Sequence, residues 1–95
     1  MFTDEQVLDL IANNDEAVER AILRIAALHE SSLDEEVDVG FMEADARILL
    51  SFAVFIEAST RKPGNRLSSG MLTVARSLLT CYTYVDQLVK YANSV

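Results

Sequence analysis

The longest apolar stretch in the sequence covers residues 48–56, where Ser51 is the only polar side chain. One helix face cannot hold so many apolar side chains, so other parts of the chain or a partner must cover this segment on most sides. The stretch is too short to span a bilayer, which needs about 20 apolar residues, and charged residues flank it at both ends. We therefore expect a buried central helix over about residues 43–60. Its predicted core residues are Ile48, Leu49, Phe52, Ala53, Phe55 and Ile56.

Two helices are predicted before the central one. Thr3 and Gln6 have the spacing of a capping box, so the first helix covers about residues 4–12. The Asn13-Asn14 pair ends this helix, because asparagine can adopt left-handed dihedrals, and it can also cap the helix that follows. The second helix covers about residues 15–30, because apolar residues recur there at three- and four-residue spacing. The same spacing directs three charged residues toward its polar side, namely Glu19, Arg20 and Arg24.

The last predicted helix begins after Ser68, its N-cap, and covers about residues 69–93. Its apolar residues form two adjoining seams, and one neighbouring helix can cover only one of them. The second seam needs either another helix of the same chain or a second molecule. The second alternative predicts a homodimer. Its interface would consist of Val74, Leu78, Cys81, Val85 and Leu88.

These four helices define the predicted fold, an all-α single domain in which a compact bundle surrounds the buried third helix. A helical chain of 95 residues is long enough to bury a modest core. Cys81 is the single cysteine and cannot form an internal disulfide. We interpret it as a small buried apolar residue rather than a nucleophile. Since no signal-peptide pattern opens the sequence, we expect a cytoplasmic protein without a membrane span.

Charge is distributed unevenly along the chain, whose net charge is −7. Residues 1–45 contain thirteen carboxylates and two arginines, whereas residues 46–95 carry a net charge of +4. The acidic half is either a solvated surface or a surface that meets a basic site on a partner. The segment between residues 31 and 40 lacks the oxygen spacing and central glycine of a calcium loop, so we expect a solvated connector. Its acidic residues are Asp34, Glu35, Glu36 and Asp38.

Gly40 allows a tight backbone turn into the central helix. Phe41 and Met42 follow it directly. These two side chains either fold back over the core as an apolar lid or remain exposed and anchor a partner.

Residues 61–66 combine a helix breaker with the main cluster of cations. Pro63 cannot extend a helix, and the following Gly64-Asn65 pair favours a turn. The cations either complement the C-terminus of the preceding helix or contact a phosphate, although no aromatic residue is interleaved for base stacking. Direct nucleic-acid binding is the less favoured of these interpretations. The candidate phosphate-binding residues are Arg61, Lys62, Arg66 and Arg76.

No combination of residues predicts catalysis. His29 has no second His or Cys near it in sequence, so we interpret it as structural rather than as a metal ligand. A nucleophile, a base and an orienting group do not form a recognisable set along the chain. We therefore expect a protein that is not an enzyme and that needs no cofactor or metal.

A recognisable series of residues runs through the second half of the chain: Gly40, Phe41, Asp45, Ala46, Leu49, Arg66, Leu67, Ser68, Ala75, Arg76 and Tyr82. Over about residues 40–92 this series resembles a short helical module found in many phage and mobile-element proteins. The resemblance implies a phage or mobile-element origin and carries no defined activity. Three departures from the module, at Met42, Gly70-Met71 and Ser77-Leu78, replace polar or cationic residues. They weaken any inherited phosphate contact and favour protein binding.

In size, acidity and simplicity the chain also resembles the small anti-CRISPR proteins of phages. That resemblance implies a non-enzymatic inhibitor that binds a host protein effector, such as a CRISPR complex. An acidic protein can be attracted to the cationic channel of a nucleic-acid-binding effector. A nucleic-acid-associated accessory module and a toxin-neutralising antitoxin are the alternatives. The predicted partner contacts are Asp15, Glu16, Glu19, Asp34, Glu35, Glu36, Asp38, Phe41 and Met42.

Overall fold

The structure, a computed structural model, describes residues 1–31 and 40–94. This part of the chain is all-helical, as predicted, and contains no strand. The radius of gyration of 12.5 Å matches the roughly 12 Å expected for a globular chain of this length. Within the described ranges, no helix is long and apolar enough to cross a membrane. The five helices of these ranges are α1 (Asp4–Asn13), α2 (Asp15–Ser31), α3 (Glu43–Ala58), α4 (Ser69–Leu79) and α5 (Tyr82–Asn93).

The predicted N-terminal caps are confirmed. The Thr3 backbone N–H donates to Oε1 of Gln6 at 3.0 Å, and the Gln6 N–H donates to Oγ1 of Thr3 at 3.3 Å, which completes the capping box of α1. Oγ of Ser68 accepts from the N–H of Met71 and caps α4. Asn14 has extended dihedrals rather than left-handed ones, which corrects that expectation. Its side chain does cap α2, because Oδ1 accepts from the Ala17 N–H at 3.0 Å.

The structure divides the predicted last helix into α4 and α5 at Thr80 and Cys81. Thr80 follows α4, and its hydroxyl donates to the carbonyl oxygen of Ser77 at 3.0 Å. Cys81 adopts an extended conformation with ψ of 137° and precedes α5 as its N-cap. Thr, Cys and Tyr have low helix propensities, and Thr80-Cys81-Tyr82-Thr83 brings four such residues together. The predicted count of four helices is therefore corrected to five in the described part of the chain.

α2 is the helix on which the others pack. α1, α3, α4 and α5 all contact α2, whereas α3 contacts mainly α2 and α4. The expectation of a bundle around a buried third helix is corrected accordingly. α2 suits the central position because its buried residues lie at neighbouring helical positions and form a broad face. These buried residues are Val18, Glu19, Ala21, Ile22, Ile25 and Ala26.

α3 is buried on one side only. Ile48 and Phe55, which were expected in the core, are 37% and 50% exposed. Both lie on the same side of the helix as Ser51, away from the face that packs on its neighbours. The prediction was wrong for these two residues because a run of apolar side chains does not indicate which of them face outward. The α3 residues confirmed in the core are Leu49, Phe52, Ala53 and Ile56.

Two phenylalanines on α3 provide a matched test of this packing. Phe52→Ala removes a ring that is 9% exposed, and we expect the free energy of unfolding to fall by about 3–5 kcal/mol because a cavity forms. Phe55→Ala removes a ring that is 50% exposed and should cost less than about 1 kcal/mol. Urea denaturation of both variants measures the difference. Equal losses would contradict the surface position of Phe55.

Candidate functional site

The predicted carboxylate surface is only partly formed by described residues. Asp15 and Glu16 are exposed in the first turn of α2, where their charge is favourable beside the helix N-terminus. Glu19, one turn later, is fully buried, so it is not available to contact a partner. The other predicted carboxylates lie outside the described residues, and they are Asp34, Glu35, Glu36 and Asp38.

Glu19 holds the segment between α3 and α4 against α2. Its Oε1 accepts hydrogen bonds from the backbone N–H of Gly64 at 2.9 Å and from Nε of Arg66 at 2.7 Å. Its Oε2 accepts from the backbone N–H of Arg66 at 2.8 Å. Gly64 has a φ of +92°, which glycine adopts without the strain that a side chain would add. Both carboxylate oxygens of Glu19 therefore accept hydrogen bonds inside the protein. The sequence spacing alone had placed this side chain on the polar side of α2.

The environment of Glu19 acts on its pKa in two opposite directions. Burial raises the pKa, because desolvation disfavours the charged form. The hydrogen bonds from Gly64 and Arg66, together with the positive charge of Arg66, outweigh burial and lower the pKa of Glu19 below its usual value. The carboxylate is therefore charged at neutral pH. Its stabilising effect is present above the pKa of the unfolded chain and is lost as the pH falls through the folded value.

Residues 40–42 enter α3 through polar contacts with α2 and α5. The Gly40 N–H donates to Oε1 of Gln87 at 2.7 Å, and Nε2 of Gln87 donates to the Gly40 carbonyl at 3.1 Å. The Phe41 N–H donates to Nδ1 of His29 at 3.2 Å. Gly40 has a φ of +85°, and a Cβ placed on it would lie 2.6 Å from Cα of His29. The tight turn predicted at Gly40 is confirmed, and only glycine fits there.

Tyr84 completes the contacts of this segment. Its hydroxyl accepts from the Met42 N–H at 2.9 Å and donates to Oδ2 of Asp45 at 2.6 Å. Burial raises the pKa of Tyr84 far above its usual value, and the hydrogen bond to Asp45 raises it further. The phenol therefore stays protonated and serves as a structural donor and acceptor.

The structure distinguishes the two roles considered for Phe41 and Met42. Phe41 is 5% exposed, and its ring packs edge-on against the ring of Tyr84 with 6.0 Å between centroids. It is thus an apolar lid on the core and is not accessible to a partner. Met42 is 41% exposed at the start of α3 and remains accessible.

The four candidate phosphate-binding cations are not equivalent. Arg66 is engaged by the buried carboxylate described above. Arg76 pairs with the carboxylate of Asp15, and its Nε donates to the carbonyl oxygen of Ile11 at 2.8 Å. Arg76 thereby joins the end of α1, the start of α2 and α4. The two exposed members of the set are Arg61 and Lys62.

The predicted dimer seam does not form one exposed face. The division between α4 and α5 interrupts it at Cys81, which is half-buried, as is Leu78. Val85 and Leu88 are only 3% and 8% exposed because they pack in the core of the same molecule. Val74 is the exposed member, at 38%.

A different apolar surface lies on α3, and we call it the α3 outer face. Val54 is 67% exposed and Phe55 is 50% exposed toward the C-terminal end of α3, and Ile48 lies two turns before Phe55. Ile48 and Phe55 lie on nearly the same line of the helix because they are seven residues apart, whereas Val54 lies about 100° around the axis from Phe55. The residues of the α3 outer face, all exposed, are Ala44, Arg47, Ile48, Ser51, Val54, Phe55 and Ala58.

The sequence contains a signal that indicates this face. Arg47 and Ser51 are four residues apart, and Ser51 is the only polar position in the apolar stretch. Polar residues one turn apart mark the solvent side of a helix, and Phe55 lies one turn further along the same line. The positions of Arg47 and Ser51 on the helix therefore predict that Phe55 lies outside the core.

The residues with reactive side chains do not gather at one place. Within the described ranges, no group of three or more His, Cys, Asp or Glu side chains is arranged to hold a metal ion. Nδ1 of His29 accepts the hydrogen bond from Phe41, and Cys81 occupies the N-cap of α5. The α3 outer face is therefore the candidate functional site.

Comparisons with known proteins identify no relative of this chain. No family model, no curated protein sequence and no solved structure matches the chain.

The role of Glu19 can be tested through the pH dependence of stability. Glu19→Gln removes the charge and should lower the free energy of unfolding at pH 7 by about 3 kcal/mol, since Arg66 loses its buried partner. The difference from wild type should shrink as the pH falls well below about 4.3, the value of Glu in unfolded chains, because the wild-type carboxylate then protonates too. Urea denaturation from neutral to acidic pH measures this difference in the free energy of unfolding. The control is Glu57→Gln, an exposed carboxylate on α3, and a pH-independent difference would contradict the charged state of Glu19.

Two glycines provide a matched test of the turn before α3. Gly40→Ala introduces a Cβ at a positive φ against the backbone of His29, so the free energy of unfolding should fall by more than about 1 kcal/mol. A Cβ at Gly70, in the first turn of α4, meets no atom within 4 Å. Gly70→Ala should therefore leave stability unchanged or raise it by up to about 1 kcal/mol. Thermal and urea denaturation measure the stability of both variants. An unchanged free energy of unfolding for Gly40→Ala would contradict the close contact between Gly40 and His29.

Proposed function

We propose that this chain is a non-enzymatic phage or mobile-element protein that acts by binding a protein partner. Most concretely, it is an inhibitor of the anti-CRISPR type that binds a host defence effector in the cytoplasm of the bacterial host. The observation that carries the proposal is the α3 outer face, which exposes Ile48, Val54 and Phe55 on one side of a rigid helix. Apolar side chains left exposed together on one side of a folded domain are typical of interaction surfaces.

Two surface properties have separate roles in this proposal. The net charge of −7 attracts the protein to the cationic channel of a nucleic-acid-binding effector over a distance of several ångströms. Exposed carboxylates on α1 and at the start of α2 supply part of that charge. The α3 outer face then provides the short-range apolar contact, with Phe55 and Val54 as the side chains that fill pockets on the partner. Charge thus governs the rate of association, and the apolar face governs the lifetime of the complex.

The alternative of direct nucleic-acid binding has less support. Arg66 and Arg76 each neutralise a carboxylate of the same chain, which leaves Arg61 and Lys62 exposed from the candidate set. Counterions released from the nucleic acid at each phosphate contact supply much of the binding free energy. Two such contacts therefore give only weak binding at physiological salt. The negative charge of the rest of the surface repels phosphate as well.

Inhibition can be tested with purified components. The wild-type chain is titrated into DNA-cleavage reactions of purified CRISPR effectors, and we expect saturable inhibition of a susceptible effector. Phe55→Asp should raise the concentration needed for half-inhibition by at least about 30-fold, because a buried interface aromatic contributes about 2 kcal/mol or more. The matched control is Tyr82→Asp, which places the same charge at a side chain 72% exposed on α5 and should inhibit as wild type does.

Salt dependence and molecular mass complete the test. We expect the association rate to fall as salt rises, while the dissociation rate of the complex changes little. A second copy of the chain could cover the α3 outer face in a homodimer, so light scattering is measured first. If a dimer is found, the protein is diluted to a concentration at which it is monomeric before the titration. Tight DNA binding in the absence of effector, lost in a variant with both Arg61→Ala and Lys62→Ala, would favour the accessory-module alternative. Equal potency of Phe55→Asp and wild type would contradict the role of the α3 outer face.

A further inference from the structure

A groove lies between α1, α2 and α5, separate from every residue of α3. Its volume is about 310 Å³, and its lining is mostly apolar. Val7, Ile11, Ala21 and Leu88 line it and are at most 8% exposed, which places them at its base. Leu10 and Tyr91, each 38% exposed, form its edges. Pockets for small molecules have this combination of an apolar lining and a volume of about 300–1,000 Å³.

The first residues of the chain close one side of the groove. The Phe2 backbone N–H donates to Oδ1 of Asn93 at 2.7 Å, and Nδ2 of Asn93 donates back to the Phe2 carbonyl at 3.0 Å. This reciprocal pair fixes the segment before α1 to the end of α5. It holds the Phe2 ring, which is 42% exposed, at the groove lining. The groove is therefore built by specific contacts.

Two arginines are the charged residues of this apolar lining. The guanidinium carbon of Arg24 lies 4.2 Å from the centroid of the Tyr91 ring, so the side chain is held in a defined position by a cation–π contact. Nε of Arg24 is buried and has no hydrogen-bond partner. Arg20 precedes it by one turn and is exposed at the groove. Neither arginine forms an ion pair with a described carboxylate, and none of the described lining residues is acidic.

This arrangement is unusual for a protein of net charge −7. Most buried donors in folded proteins are paired with an acceptor, because an unpaired one is costly. An anionic ligand in the groove would pair with the partly exposed guanidinium of Arg24, and a guanidinium binds a carboxylate with two parallel hydrogen bonds. The charge at the groove thus selects an anion, and its apolar lining selects a hydrocarbon group attached to that anion.

We propose that this groove binds a small amphiphile with one carboxylate and a linear hydrocarbon tail, such as a medium-chain fatty acid. The carboxylate contacts Arg24 and Arg20, and the tail lies along Val7, Ile11 and Leu88. A cavity of about 150 Å³ holds benzene, so this groove accommodates a ligand of roughly twelve non-hydrogen atoms, the size of decanoate. The site shares no residue with the α3 outer face, so it stands or fails independently of the protein-binding function.

Binding is tested by calorimetric titration of the full chain with decanoate below its micellar concentration. We expect a saturable one-to-one complex, with ligand-induced shifts of the Leu88 and Tyr91 resonances in nuclear magnetic resonance spectra. Decanol, which has the same tail and no charge, should bind at least about tenfold more weakly. Arg24→Gln should weaken decanoate binding by a similar factor and leave decanol binding unchanged. The matched control is Arg47→Gln, an exposed arginine on α3, and it should bind decanoate as wild type does.

A second variant tests the apolar part of the groove. Ala17 is a half-buried lining residue on the surface of α2, so Ala17→Leu narrows the groove while a helical circular dichroism spectrum verifies the fold. We expect weaker binding of both decanoate and decanol. Non-saturable binding, equal affinity for the two ligands, or equal affinity of wild type and Arg24→Gln for decanoate would overturn the proposal. Tighter binding of an apolar peptide with one Glu, weakened by Arg24→Gln, would assign the groove to a protein segment and would also overturn it.

Discussion

The carboxylate of Glu19 is a buried charge on α2, the helix that the other four helices contact. An unpaired charge in that position would cost several kcal/mol, so the fold requires partners that come from elsewhere in the chain. Gly64 and Arg66 are those partners, and they belong to the segment that joins α3 to α4. The need to satisfy this one charge therefore determines where the chain passes between the two helices. Domains of this kind have a total stability of only about 5–15 kcal/mol, so loss of the partners of this charge would remove a substantial fraction of it.

The same requirement applies to the opposite end of α3. There the backbone N–H groups of residues 40–42 are satisfied by side chains of α2 and α5, among them Gln87 and Tyr84. α3 is thus fixed by polar contacts in the segments on both sides of it and by apolar packing along its inner side. Its position does not depend on a cover over the outer side. For this reason Phe55 and Ile48 can remain exposed on a helix that is still held rigidly in place.

The helix caps of this protein could be predicted from sequence, whereas contacts between distant segments could not. The caps at Thr3 and Ser68 follow from residues three positions apart, so their spacing alone indicates them. Glu19 was expected on a polar side because its partners lie more than forty residues away and leave no periodic pattern. The exposure of Phe55 was hidden by the apolarity of its neighbours, and only the spacing of Arg47 and Ser51 indicated it. The groove depends on three helices and the Phe2–Asn93 contact, so no single stretch of sequence could reveal it.

The polar contacts that fix the two ends of α3 also differ from the helices in when they can form. Glu19 and Gly64 are 45 positions apart, and Gly40 and Gln87 are 47 positions apart. Helices form from local contacts within about a microsecond, whereas closing chain segments of such length costs entropy that is recovered only when the partners meet. We therefore expect these contacts to form late, after the helices have appeared. Interactions that form after the rate-limiting step slow unfolding and leave the folding rate unchanged. The lifetime of the folded molecule is then governed by a few buried hydrogen bonds, and the speed with which it folds is governed by its helix caps and apolar faces.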